Sequence, residues 1–242
     1  MFRAAVKGRT LEFVNAGVVG GNEVFKDQET GSRWQQSSLQ AISGPLQGEH
    51  LQLYAFLLTD WGEWRRQHPD TLVLKPLPGY AERIPEMNAM IRAALSNEGA
   101  APKGVLHVDS RLKPRTMILG LDIRDGSEAF PLAELRKEHV IQVDLGGEPV
   151  LLVHQTDSDT TTAFRAGVAG RILHFELSSN AGATELMDRE TRSQWTPYGE
   201  CTSGRLKGSH LAPLTVEPEY WFAWAEFHPS TKIFGVNEQK SP

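Results

Sequence analysis

Two carboxylates two residues apart are the first groups in this sequence with a chemistry to offer. Asp27 and Glu29 stand in the motif D-x-E-T-x-S-x-W, which ends at Trp34, and Asp188 and Glu190 stand in the same motif, ending at Trp195. Such a pair serves general acid–base catalysis if both groups converge on a cleft. The motif is also a turn signature in which Asp and Thr side chains bond local backbone, and that reading is preferred. Histidines are matched too. His50 and His210 each begin a strand after a glycine-bearing turn, and His68 and His228 each precede a proline at the predicted end of a helix. A histidine at a helix C-terminus caps carbonyls and complements the dipole, which accounts for the second pair without catalysis. The binding candidates are therefore Trp34, Trp195, Asp27, Asp188, His50 and His210. A hydrolase-like reading rests on these paired acids and histidines alone.

His154, Asp157 and Asp159 offer oxygen and nitrogen ligands for a cation, yet the stretch Val153–Phe164 lacks the glycine and closing Glu of an EF-hand loop. A solvated hairpin turn is the preferred reading. Cys201 is the single cysteine, so an intrachain disulfide and thiol metal spacings are both excluded. It reads as a small buried hydrophobe. No P-loop, GxSxG elbow, HExxH helix or dinucleotide fingerprint occurs, and no cofactor is indicated.

What positions these residues is a passage that occurs twice. FRAAVKGRTLEF (Phe2–Phe13) returns as FRAGVAGRILHF (Phe164–Phe175), and DQETGSRW as DRETRSQW. SGPLQGEHL (Ser43–Leu51) returns as SGRLKGSHL (Ser203–Leu211), and WGEWRRQHPDT (Trp61–Thr71) as WFAWAEFHPST (Trp221–Thr231). Identity holds at 24 of 40 aligned positions, where chance would give roughly two or three. The pattern is mainly β with a few short helices, α+β at the margin, in two tandem homologous units. Lys7-Gly8, Asp125-Gly126 and Gly146-Gly147 mark hairpins, and Pro131–Glu138 reads as a short helix with proline at its first position. Asp60 caps a helix whose Trp61 and Trp64 share one face. Trp221 and Trp224 repeat that spacing, and all four tryptophans are expected to anchor the core.

Residues 1–76 are expected to be the back half of a first unit, 77–113 a linker with one amphipathic helix, and 114–242 a complete second unit. Strand-like sequence from Arg115 leads into the second copy, whereas only Met1 precedes Phe2. An open sheet edge in the first unit would invite self-association. The net charge of −5 and the absence of a Lys/Arg run disfavour a nucleic-acid surface. No apolar run reaches the roughly 20 residues that span a bilayer, and the opening MFRAAVKGRT lacks the apolar core of a signal peptide.

The order F-R-x-x-V-x-G-R-x-L-x-F, D-x-E-T-x-S-x-W, S-G-x-L-x-G, then W-x-x-W with H-P-x-T resembles the bacterial domain-of-unknown-function family thirty-one seventy-nine. The resemblance covers Phe2–Leu74 and Arg115–Val236. It implies an exported protein, periplasmic, envelope-associated or secreted, and no known reaction. It also implies a Cys-Pro-x-Cys segment before the F-R strand, but Val153–Ala163 has no cysteine. The expected function is a non-catalytic binding or structural module of the cell envelope. The alternative is a redox or metal-handling protein whose Cys-Pro-x-Cys segment lies upstream.

Overall fold

In the computed structural model, which describes residues 2–54, 56–95, 99–101, 104–123, 126–178 and 185–236, the alternating segments form short strands. In the first half, β1 (Phe2–Arg3) is followed by β2 (Ala5–Val6) and β3 (Arg9–Thr10). These last two pair across Lys7-Gly8, where both residues take positive φ as a tight hairpin requires. Next, β4 (Phe13–Val19), β5 (Asn22–Asp27), β6 (Arg33–Gln35) and β7 (Ala41–Ser43) form an antiparallel meander. β8 (Gln52–Leu53) returns to pair with β1, whose only strand partner among the described residues it is. Leu11, Trp34, Ala41, Leu46 and Leu51 fill the space between, with Phe2, Phe13 and Phe25 packed against them. Phe13 meets Trp34 edge-on at 6.0 Å, the geometry that the ring quadrupole favours.

α1 (Trp61–Gln67) follows, capped by Asp60, which accepts from the Glu63 N–H at 2.7 Å. The expected amphipathic helix is present as α2 (Ile84–Leu95), but Ile84, Met87, Met90 and Ile91 all remain exposed.

The second half opens with β9 (Met117–Ile123), β10 (Gly126–Pro131) and α3 (Leu132–Glu138). Asp125, the first residue of an expected hairpin signal, lies outside the described residues, though β9 and β10 pair across it from Ile123–Gly126 onward. Pro131 is the cap residue rather than the first helical one, because its ψ of 132° is still extended. Then come β11 (Val140–Leu145), β12 (Glu148–Gln155), β13 (Thr160–Arg165), β14 (Gly167–Val168), β15 (Arg171–Ile172), β16 (Phe175–Leu177), β17 (Leu186–Asp188), β18 (Gln194–Trp195) and β19 (Cys201–Ser203). The last elements are β20 (Pro213–Leu214), β21 (Glu217–Tyr220), α4 (Trp221–Phe227) and β22 (Lys232–Ile233). The sheets run β11-β12-β13-β20, β16-β17-β18-β19 and β21-β9-β10-β22. Only the β10–β22 pairing is parallel among the described residues.

The halves share strand order. β16 to β19 are ordered as β4 to β7 are, β14 pairs with β15 as β2 does with β3, and β13 with β20 as β1 does with β8. They differ at the helices. Trp221 and Trp224 are fully buried, and a side chain at Gly120 of β9 would place its Cβ 2.2 Å from the Trp224 ring. Trp61 and Trp64 are 50% and 38% exposed. The expectation of four core tryptophans is thus corrected to two, because no strand among the described residues lies over α1 as β9 lies over α4. Trp64→Ala should accordingly cost clearly less in a urea melt than Trp224→Ala, for which full burial predicts a loss of about 3–5 kcal/mol.

Candidate functional site

The D-x-E-T-x-S-x-W motif builds the same closed network twice. Asp27 accepts from the Thr30 N–H at 2.6 Å and from Trp34 Nε1 at 2.8 Å. Asp188 accepts from the Thr191 N–H at 2.6 Å and from Trp195 Nε1 at 2.9 Å. Burial works against the Asp27 charge, but the bonds from Trp34, Thr30 and the local backbone outweigh it and hold the carboxyl below its ordinary range. The motif serine completes the network. Ser32 and Ser193 accept from the Leu46 and Leu206 N–H groups at 3.0 and 3.1 Å, tying in the S-G-x-L-x-G turns. Those turns need glycine, since a Cβ on Gly44 or Gly204 would stand 2.6 or 2.7 Å from the Cα of that serine. Glu29 and Glu190 accept from the Glu12 and His174 N–H groups, both at 2.9 Å. Trp34, Trp195, Asp27 and Asp188 have no measurable exposure. Neither indole offers a face to a ligand.

His50 and His210 are exposed beside isolated bridges to Gln40 and Glu200. His228 bonds the Trp224 carbonyl through Nδ1 at 3.1 Å, the expected capping role. The candidate cation set converges only in part: His154 Nε2 lies 3.5 Å from Asp159 Oδ1, and Asp157 stands apart from both. His154 is buried, its Nδ1 2.9 Å from Thr161 Oγ1, and burial pushes its pKa down. Asp159 pairs with Arg136, which lowers its carboxyl, and Asp157 is exposed at a different cavity. No group of three His, Cys, Asp or Glu suited to a metal occurs among the described residues. The turn at residues 156–159 joins β12 to β13 as expected, but it is not solvated throughout. Ser158, Thr160, Thr161 and Thr162 are buried, with Thr160 2.7 Å from Thr59 of the first half. Cys201 is buried, and that burial raises its thiol pKa, leaving it unreactive.

The groups that do converge come from β21, α4 and the first half. Side chains alternate along a strand, so Glu217 and Glu219 share one face. They border a cavity of about 420 Å³ walled by Phe2, Phe25, Leu39, Leu53 and Phe56. Ser37 donates to both Glu219 oxygens at 3.0 and 2.9 Å. Burial raises the Glu219 carboxyl to about 7, against the Ser37 bond and with help from the Glu217 charge. Burial likewise raises Glu217. Beside them His228 Nε2 lies 3.5 Å from Asp122 Oδ2. Burial alone would lower the His228 pKa, but Asp122, the Trp224 carbonyl and Glu217 together raise it. Phe56 also lines a second cavity of about 240 Å³ with Thr161, Thr162 and Tyr198. The sequence carried one sign of this site, the alternation Glu-Pro-Glu at 217–219. Its partners lie some 180 residues earlier, where no local pattern points.

Fold and site define a mainly β protein with an acidic, aromatic-walled cleft where its two halves meet. The chain belongs to the family described as Protein of unknown function (DUF3179), whose profile it matches over residues 1–231. No curated protein matches it, and no solved structure does.

Proposed function

We propose that this protein is a non-catalytic binding module of the bacterial cell envelope that holds a small organic cation in the cleft. One observation carries the reading: Glu217 and Glu219 stand side by side at a cavity walled by the rings of Phe2, Phe25 and Phe56. An apolar cavity of this size with a few convergent polar groups is the usual form of a small-molecule site. Carboxylates together with aromatic faces select a cation that has an apolar body. The non-catalytic part is supported by the repeated acids, which are occupied in internal hydrogen bonds. The envelope placement rests on the family resemblance. We further read the halves as copies of one ancestral unit, supported by the identity of 24 in 40 positions and the shared strand order.

Calorimetric titration of the full chain at pH 8 with benzylamine tests the reading, with benzyl alcohol as the neutral probe. The amine should bind about tenfold tighter than the alcohol, or about 1.4 kcal/mol. In a Glu217→Gln, Glu219→Gln double variant the two should bind alike. Equal affinities in the unaltered protein would sink the proposal.

A further inference from the structure

The two Trp-x-x-Trp helices share their tryptophan–threonine and tryptophan–histidine contacts and have opposite surroundings. In α4, Trp224 Nε1 donates to Thr231 Oγ1 at 3.0 Å, and the His228 ring stacks on Trp224 at 3.7 Å. In α1, Trp64 Nε1 donates to Thr71 Oγ1 at 2.9 Å, and the His68 ring lies 4.1 Å from Trp64. The C-cap histidines agree as well, with φ/ψ of −129°/68° at His68 and −127°/62° at His228. Each helix also turns its other flank toward the opposite half. Tyr198 donates to Glu63 of α1 at 2.6 Å, and a side chain at Gly21 of the first half would touch Phe222 of α4 at 3.4 Å.

On the tryptophan flank the likeness ends. α4 lies on β9, with Gly120 beneath the Trp224 ring and Asp122 facing His228, and β22 pairs parallel to β10. Over α1 nothing corresponds among the described residues. Leu72, Val73 and Leu74, placed as β22 is, have no strand pairing and are 94%, 69% and 92% exposed.

We propose that the Trp61–Trp64–His68 face of α1, with the segment Leu72–Leu74, is a docking site for a second β-hairpin, distinct from β9–β10. Its first strand carries Gly-x-Asp, with glycine admitting the Trp64 ring and aspartate meeting His68. Its second strand pairs in parallel with residues 72–73, a strand-addition mode in which backbone bonds supply affinity and side chains supply register. A second copy of this protein is a poor donor, because its own Gly120-x-Asp122 hairpin already lies under α4.

The probe is a synthetic peptide of residues 114–132, which contains no tryptophan. It is added to the full chain, and acrylamide quenching of tryptophan emission is followed. Trp34, Trp195, Trp221 and Trp224 are fully buried, so quenching reports on Trp61 and Trp64. The peptide should reduce quenching several-fold and shift emission to shorter wavelength. A peptide carrying Gly120→Leu should do neither, nor should the native peptide act on a Trp64→Ala chain. Because a free hairpin folds poorly, a second sample carries a duplicate of residues 114–163 fused ahead of Phe2, and it should show the same protection. Unchanged quenching in both samples would overturn the proposal, as would equal protection by the Gly120→Leu peptide. A dimer of the unaltered chain that Trp64→Glu dissociates in sedimentation would overturn it too, making a second copy the occupant.

Discussion

Glutamine in place of Glu219 should stabilise the protein by about 3 kcal/mol at pH 8 and leave it nearly unchanged at pH 4. The Glu219 carboxyl sits at about 7 in the fold, against an ordinary value of 4.5. Between those values the folded chain holds a proton that the unfolded chain has released. Stability therefore falls as pH rises from 4.5 to 7, and the full cost persists above 7. Glutamine has the same shape, keeps an oxygen for the Ser37 hydroxyl, and carries no charge to bury. His228, raised as well, loses its contribution as pH rises through its folded pKa. Glu217, also raised by burial, adds a cost over its own rise, and both parts of the slope should survive in the variant. Urea unfolding at pH 4, 5.5 and 8 separates Glu219 from these two. A variant profile running parallel to the unaltered one would show that Glu219 is not the group that titrates.

Asp188→Ala should lose about 3–5 kcal/mol, from several stranded donors at about 1–3 kcal/mol each, enough to unfold a marginal domain. The carboxylate accepts from the Thr191 N–H and hydroxyl, the Ser193 N–H and the Trp195 indole, and it is wholly buried. Removal strands those donors without water to replace the acceptor. Asp188→Asn should recover part of the loss, since its one oxygen still accepts. A loss below about 1 kcal/mol for the alanine variant would show that the network yields locally.

Much of the fold was legible because its determinants are local. Lys7-Gly8 and Gly146-Gly147 fix hairpins through their own φ angles, and Asp60 caps α1 from one residue away. The turn reading of D-x-E-T-x-S-x-W needed only eight residues, and the network they form is the one the side chains allow. Exposure was not legible at the helices. Trp64 and Trp224 share spacing, hydrogen bond and histidine neighbour, and the β9–β10 hairpin, with Gly120 beneath Trp224, separates core from surface. The buried threonines of β13 read as solvated because their cover, Thr59 and Phe56, comes from a hundred residues earlier. The candidate site was hidden for the same reason, since Ser37 meets Glu219 only in three dimensions.

That meeting sets a timetable for the ribosome. Ser37 is made 182 residues before Glu219, and Glu63 is made 135 residues before Tyr198. At roughly 5–20 residues per second, the wait for Glu219 is about 10–40 s. Throughout it the nascent first half shows Phe2, Phe25 and Phe56 to the cell, with the polar partners that bind it to the second half not yet translated. Such a chain calls for shielding during synthesis, and its final docking belongs among the slow, long-range events of folding.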